Sequence, residues 1–183
     1  MRIGIISDTH GFVHPDFAQH FAGGERILHA GDIGSLSVLK TLEAIAPTIA
    51  VRGNIDGEEF WMVEQLKRVK LGGKHIAIVH HAGDPLRPYH AVHHDILTQP
   101  TDILISGHYH AYWCTPLENP KQRPPSHPGH ATPKLWINPG AAGNHGHHDQ
   151  RTALILKIDE IAPQHQTIVS LGLEKIALGP RFS

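Results

Sequence analysis

Apolar residues in this chain come in short runs that stop abruptly at polar side chains. Residues 2–7, RIGIIS, are mostly apolar and β-branched and predict a buried strand. Residues 26–30 and 48–52 predict a second and a third. Between these runs the apolar period lengthens. Residues 14–22 predict a short helix, with Pro15 suited to its first turn. Ser35 reads as an N-cap, and Leu36, Leu39, Leu42 and Ala46 mark one face of a second helix that Pro47 stops. This β-α-β-α-β rhythm predicts parallel strands joined by right-handed crossovers.

The second half has a different pattern. VKLGGKHIAIVHH predicts a hairpin turning at Gly72 and Gly73, with its second strand at 75–80. Residues 87–97 predict a helix, and 102–106 another buried strand. Residues 111–117, 134–138, 151–158 and 165–172 read as further strands. Their alternation predicts a second, mainly antiparallel sheet packed face to face on the first. Residues 118–133 are rich in proline and histidine and cannot continue a strand or helix, so they predict a long loop or flap. No internal repeat and no linker is visible. The length of 183 residues predicts one domain spanning 1–183.

Composition narrows the function classes. Sixteen basic and 17 acidic residues leave a formal charge of −1, which argues against extended nucleic acid tracks. Cys114 is the single cysteine, which excludes an internal disulfide and a thiolate zinc cluster. The chain opens on a short strand rather than a secretory h-region, and no run of about 18 apolar residues predicts a membrane span. A cytoplasmic protein is the expectation. The unusual residue is histidine, present 18 times and clustered at 75–94, 108–110 and 127–148. Histidine supplies metal ligands and proton carriers near neutral pH.

Seven metal-capable side chains stand just after the apolar runs: Asp8, His10, Asp32, Asn54, His80, His108 and His110. In open α/β sheets, sites form where the carboxyl ends of strands meet. Asp8 and His10 are two residues apart and point to one side of an extended chain, so both can reach one ion. His108 and His110 repeat that spacing. Asp32 follows Gly31, and its two oxygens suit it to bridge two cations. Asn54 offers an amide oxygen to a metal or an NH₂ group to a substrate oxygen. The set is oxygen and imidazole without sulfur. It favours Mn²⁺, with Fe, Zn²⁺, Ni²⁺ or Co²⁺ as alternatives, over Mg²⁺. Two such ions share a hydroxide and clamp both sides of an in-line displacement at phosphorus. Alone, each short motif is also a plain turn or helix entry; the joint pattern argues for a metal centre.

The segments SDTHG at 7–11, HAGD at 29–32, VRGNID at 51–56, IVHH at 78–81, GHYH at 107–110 and NPGA at 138–141 resemble the calcineurin-like metallophosphoesterases. The resemblance spans about residues 1–157 and is to the small bacterial and archaeal phosphodiesterase branch, which also includes the retromer metallophosphoesterase-like subunit. It implies an α/β fold, a four-layer α-β-β-α sandwich. It implies two divalent ions, one held by Asp8, His10, Asp32 and His110, the other by Asp32, Asn54, His80 and His108. His81 stands where the family has a glycine, so His80 and His81 are alternatives for the second ion. Asn138, Pro139 and Gly140 match a turn at the far wall of the site, as a plain turn or as a substrate contact. Larger members of the superfamily carry a leaving-group histidine where this chain has Ile55.

The resulting expectation is a phosphodiesterase acting on small esters. Asp32 bridges the ions, Asn54 orients the phosphate and His10 is a further catalytic candidate. Phosphomonoesterase, nuclease and non-catalytic protein-binding scaffold are the alternatives. A homodimer is consistent with the branch. Several other residues carry two readings. His90 and His94 on the helix at 87–97 pinch a metal or, with His93, form a polar face. His127 and His130 reach over the pocket or lie on a loop. His145, His147 and His148 bind phosphate or metal, or are solvated. Arg52 contacts phosphate or pairs with Asp56.

Overall fold

The structure, a computed structural model, describes residues 1–84, 86–88, 99–116, 135–161 and 168–181. It begins β1 (Arg2–Ile6), α1 (Asp16–Phe21), β2 (Arg26–His29), α2 (Leu36–Glu43) and β3 (Thr48–Ala50), then a 3₁₀ turn at Glu58–Phe60. β4 (Leu66–Leu71) and β5 (Lys74–Val79) form the expected hairpin. Gly72 and Gly73 take φ of 51° and 73°, the left-handed pair that a tight hairpin turn requires. The remaining strands are β6 (Gly83–Asp84), β7 (Arg87–Pro88), β8 (Ile103–Ile105), β9 (Tyr112–Pro116), β10 (Leu135–Pro139), β11 (Gln150–Ile161) and β12 (Ile168–Pro180).

Two five-stranded sheets result, ordered β12-β11-β1-β2-β3 and β4-β5-β8-β10-β9, with a small β6-β7 ribbon. β1, β2 and β3 run parallel, as do β5, β8 and β10. Their carboxyl ends carry the loops of interest. Ile3, Ile5, Leu28, Ile76, Ile78, Ile103, Ile105, Ile137, Leu154 and Leu156 are buried between the sheets. Each such side chain contributes about 1.5–3 kcal/mol by leaving water. On the other face of the first sheet, α1 and α2 bury Phe17, Phe21, Val38 and Leu42. Gly4 makes room there, because a Cβ would overlap the Phe21 ring. A third cluster, Ala77, Val79, Ala82, Leu104 and Trp136, belongs to the second sheet. This is the α/β architecture that the sequence resemblance implies.

Three sequence expectations need correction. β11 and β12 are antiparallel partners, but β11 pairs with β1, so both extend the first sheet. The second sheet is therefore mixed, with β5-β8 and β8-β10 parallel. Leu42 and Ala46 of the face expected for α2 are buried and Leu39 packs against the same core, but Val38 takes the place of Leu36, which is 44% exposed. Arg87–Pro88 is a strand rather than a helix start. The rest of the helix expected at 87–97, with His90, His93 and His94, lies outside the described residues, as does the loop at 118–133 with His127 and His130. Among the described residues, no helix is long and apolar enough to cross a membrane.

Candidate metal centre

The loops that follow β1, β2 and β8 turn sharply. Among the described residues, the non-glycine positions with positive φ are Asp8 (53°), His10 (48°), Asp32 (53°), His108 (75°) and His110 (56°). All five are among the seven sequence candidates. A left-handed non-glycine residue costs about 1–3 kcal/mol and persists only where its surroundings enforce it. Backbone ties do so here. Asp8 N–H donates to Gly31 O at 3.0 Å, His10 N–H to Asp32 O at 3.0 Å and Gly11 N–H to Ile33 O at 2.8 Å. Gly107 N–H donates to His80 O at 2.9 Å, joining the two loops of the second sheet.

One set of ligand atoms comes from both sheets. Those of Asp8, His10, Asp32 and His110 all lie within 4.8 Å of one another. His110 Nε2 is 3.3 Å from Asp8 Oδ1, and His10 Nε2 is 3.4 Å from His110 Nε2 and 3.8 Å from Asp32 Oδ2. Asp8 is fully buried, and both its oxygens accept from His108 N–H, at 3.2 and 3.1 Å.

A second set shares Asp32. His80 Nε2 lies 3.2 Å from Asp32 Oδ1 and 3.0 Å from Asn54 Oδ1, and His108 Nδ1 lies 2.9 Å from the same amide oxygen. Asp32 therefore turns Oδ2 toward His10 and Oδ1 toward His80. Ile55 N–H also donates to Oδ1, at 3.1 Å. Of the two adjacent histidines, His80 reaches this set. His81 stacks on the His108 ring at 3.7 Å and 24°.

The electrostatics fit cations. Among the described residues, the ion pairs of Asp8 and Asp32 are to imidazoles. Burial lowers the pKa of His10 against the pull of Asp32 and Asp8, and lowers that of His108 with help from His80. Both rings are thereby kept neutral, with a lone pair to offer. His80 is held differently. Its Nδ1 donates to Ala30 O at 2.8 Å, so Nε2 faces two oxygens and needs positive charge between them. Burial opposes a proton there, but the Asp32 hydrogen bond and the carboxylates outweigh it and raise the pKa. Burial likewise opposes the Asp32 charge, and His80 and the Ile55 amide outweigh it and lower that pKa. A divalent cation supplies the same charge to the same oxygens.

Several residues prove to be supports. Fully buried His29 accepts from Gly31 N–H at Nδ1 (3.1 Å), so its Nε2–H donates to Thr9 Oγ1 at 2.9 Å. Burial pushes its pKa down to about 4, leaving it neutral. Asp56 accepts from Gly34 N–H and Gly53 N–H at 2.8 and 2.7 Å, taking backbone donors rather than Arg52. Asn138 is fully buried and donates to Gly107 O at 2.8 Å, which makes it a loop tie rather than a substrate contact. His29 and Asp56 lie inside recognisable motifs, yet nothing in a single sequence marks them as supports. The segment at 144–148 comes closer than a solvated loop would. The His145 ring lies 5.5 Å from His10, and His148, buried, lies 5.5 Å from His110.

Comparison with known proteins shows the family to which the chain belongs. Residues 1–161 match the model of the calcineurin-like phosphoesterase superfamily domain. A probable metallophosphoesterase of Methanothermobacter thermautotrophicus is 32% identical over 127 residues, 65% of this chain and 72% of that protein. A protein of Methanocaldococcus jannaschii named as a phosphodiesterase is 32% identical over 123 residues, 60% of this chain and 74% of its own. Among solved structures, Vps29 of Chaetomium thermophilum aligns with a TM-score of 0.67 at 14% identity, over 98% of both chains. Vps29 of Entamoeba histolytica complexed with Zn²⁺ aligns with a TM-score of 0.64 at 18% identity, over 98% of this chain and 100% of that one. These two show the shared fold. With 161 residues matched by the family model, the chain belongs to the calcineurin-like phosphoesterase superfamily.

Proposed function

We propose that this protein hydrolyses small phosphodiesters at a pair of divalent cations. Asp8, His10, Asp32 and His110 would hold one ion, and Asp32, Asn54, His80 and His108 the other. The observation that carries this reading is the orientation of Asp32, whose two oxygens face two separate ligand sets. Its support is the superfamily membership and the phosphodiesterase relative. Bound there, the ions supply an acidified water and neutralise charge on the phosphoryl oxygens.

The chain's own residues do the rest. Asp8 and Asp32 bring buried negative charge to a wall that also holds four imidazoles and the Asn54 amide. The Ala30 carbonyl fixes the ring of His80. Asn54 stands between His80 and His108 and orients the phosphate. His10 keeps Nε2 turned toward Asp32. The test is hydrolysis of an aryl phosphodiester, with a phosphomonoester as the comparison. Asp8→Ala and Asp32→Ala, each checked for folding by circular dichroism, lose at least about 10²-fold in turnover. Unchanged turnover in either folded variant would refute the mechanism.

A further inference from the structure

Beside the second ligand set stands an aromatic side chain that the metal chemistry does not use. Tyr109 lies between the two histidines of GHYH and is 42% exposed. Among the described residues, three rings flank it. Its centroid is 5.4 Å from His108 at 90°, 5.6 Å from His81 at 73° and 5.6 Å from Trp113 at 57°. Tilted and edge-to-face contacts at such separations are favourable and fix the ring's orientation. His108 is also the ring whose Nδ1 meets Asn54 Oδ1 at 2.9 Å. Tyr109 is therefore one aromatic contact away from the proposed phosphate position. Ile55, which follows Asn54 and donates its N–H to Asp32, is 45% exposed at the same rim.

A fixed, half-exposed aromatic next to a phosphate site has an obvious chemical complement. Planar rings stack on tyrosine with little regard to their substituents, because each presents a π face. The geometry points to Tyr109 as a stacking shelf for a planar aromatic group carried by the phosphate ester, either the base of a nucleotide, linked through its sugar, or an aryl ring bound directly to the ester oxygen. This rests on the phosphodiesterase reading and narrows its substrate class. Alkyl esters gain nothing from the shelf.

The test is equilibrium binding to the manganese-loaded protein by calorimetry. The probes are adenosine 5′-monophosphate, phenyl phosphate and propyl phosphate. The wild type binds the aromatic probes about tenfold or more tightly than propyl phosphate. Tyr109→Phe keeps that ratio, and Tyr109→Ala brings it close to one. An advantage confined to phenyl phosphate supports the shelf and assigns aryl esters; one shared by both probes supports nucleoside esters as well. Equal binding of all three by the wild type, or an undiminished ratio in Tyr109→Ala, overturns the inference. Binding is read apart from turnover. A wild type with the preference but no phosphodiester hydrolysis therefore fails the functional reading and not this one.

Discussion

The left-handed backbone at Asp8, His10, Asp32, His108 and His110 gives the centre a measurable signature. Removing a side chain at such a position does not relieve the strain unless its Cβ goes too. At His108, with φ of 75°, glycine should therefore be more stable than alanine by about 1 kcal/mol, reversing their usual order. Urea midpoints of His108→Gly and His108→Ala, both metal-free, check this; alanine matching or exceeding glycine would contradict it. His29 gives a second signature. Its folded pKa of about 4 lies below the unfolded value near 6.5, so between those values the unfolded chain binds more protons. Stability rises with pH across that window and is lost as pH falls through it. Between pH 7 and pH 5 His29 should cost about 2 kcal/mol, measured by urea unfolding with chelator present. Subtracting the curve of His29→Gln isolates the effect, and parallel curves would contradict it. The residue types at these positions were legible in the sequence. Their backbone conformation and the imidazole behind the loops were not, because both arise only when the strands lie side by side.

The loops hold their shape through close approach as much as through hydrogen bonds. A Cβ on Gly107 would overlap Ser7 Oγ and lie 2.8 Å from Asp8 Oδ2 and 3.0 Å from Ala30 O. Gly107→Ala must push the Asp8 carboxylate out of line while leaving every proposed ligand in the chain. Its Mn²⁺ affinity should fall about tenfold to hundredfold, read by calorimetric titration; wild-type affinity would show that the loop has slack. Strands were easier to read than their partners. The apolar runs of β1, β2, β5 and β8 located those elements within a residue or two. The alternation in β11 and β12 says only that one face is buried, which is equally true at the edge of either sheet. Their assignment to the first sheet depends on β11 lying antiparallel to β1, Ile3 opposite Leu156 and Ile5 opposite Leu154.

Taken together, the molecule is two sheets whose loops meet at one rim, where two groups of polar side chains each draw on both sheets and share Asp32. The order of the motifs made that rim legible: Asp, His, Asp, Asn, His, His and His follow five apolar runs at spacings that a parallel crossover fold brings together. Tyr109 was less legible, since a single residue within GHYH reads as a spacer until its neighbours His81 and Trp113 are placed around it. The His145 and His148 contacts were hidden for the same reason. The claim on which the rest depends is that two cations share Asp32. Anomalous diffraction from a crystal soaked in Mn²⁺ tests it directly. The expected map holds two peaks about 3.5–4 Å apart, with one Asp32 oxygen on each. A single peak, no peak, or manganese bound away from Asp8, Asp32 and His80 would contradict it.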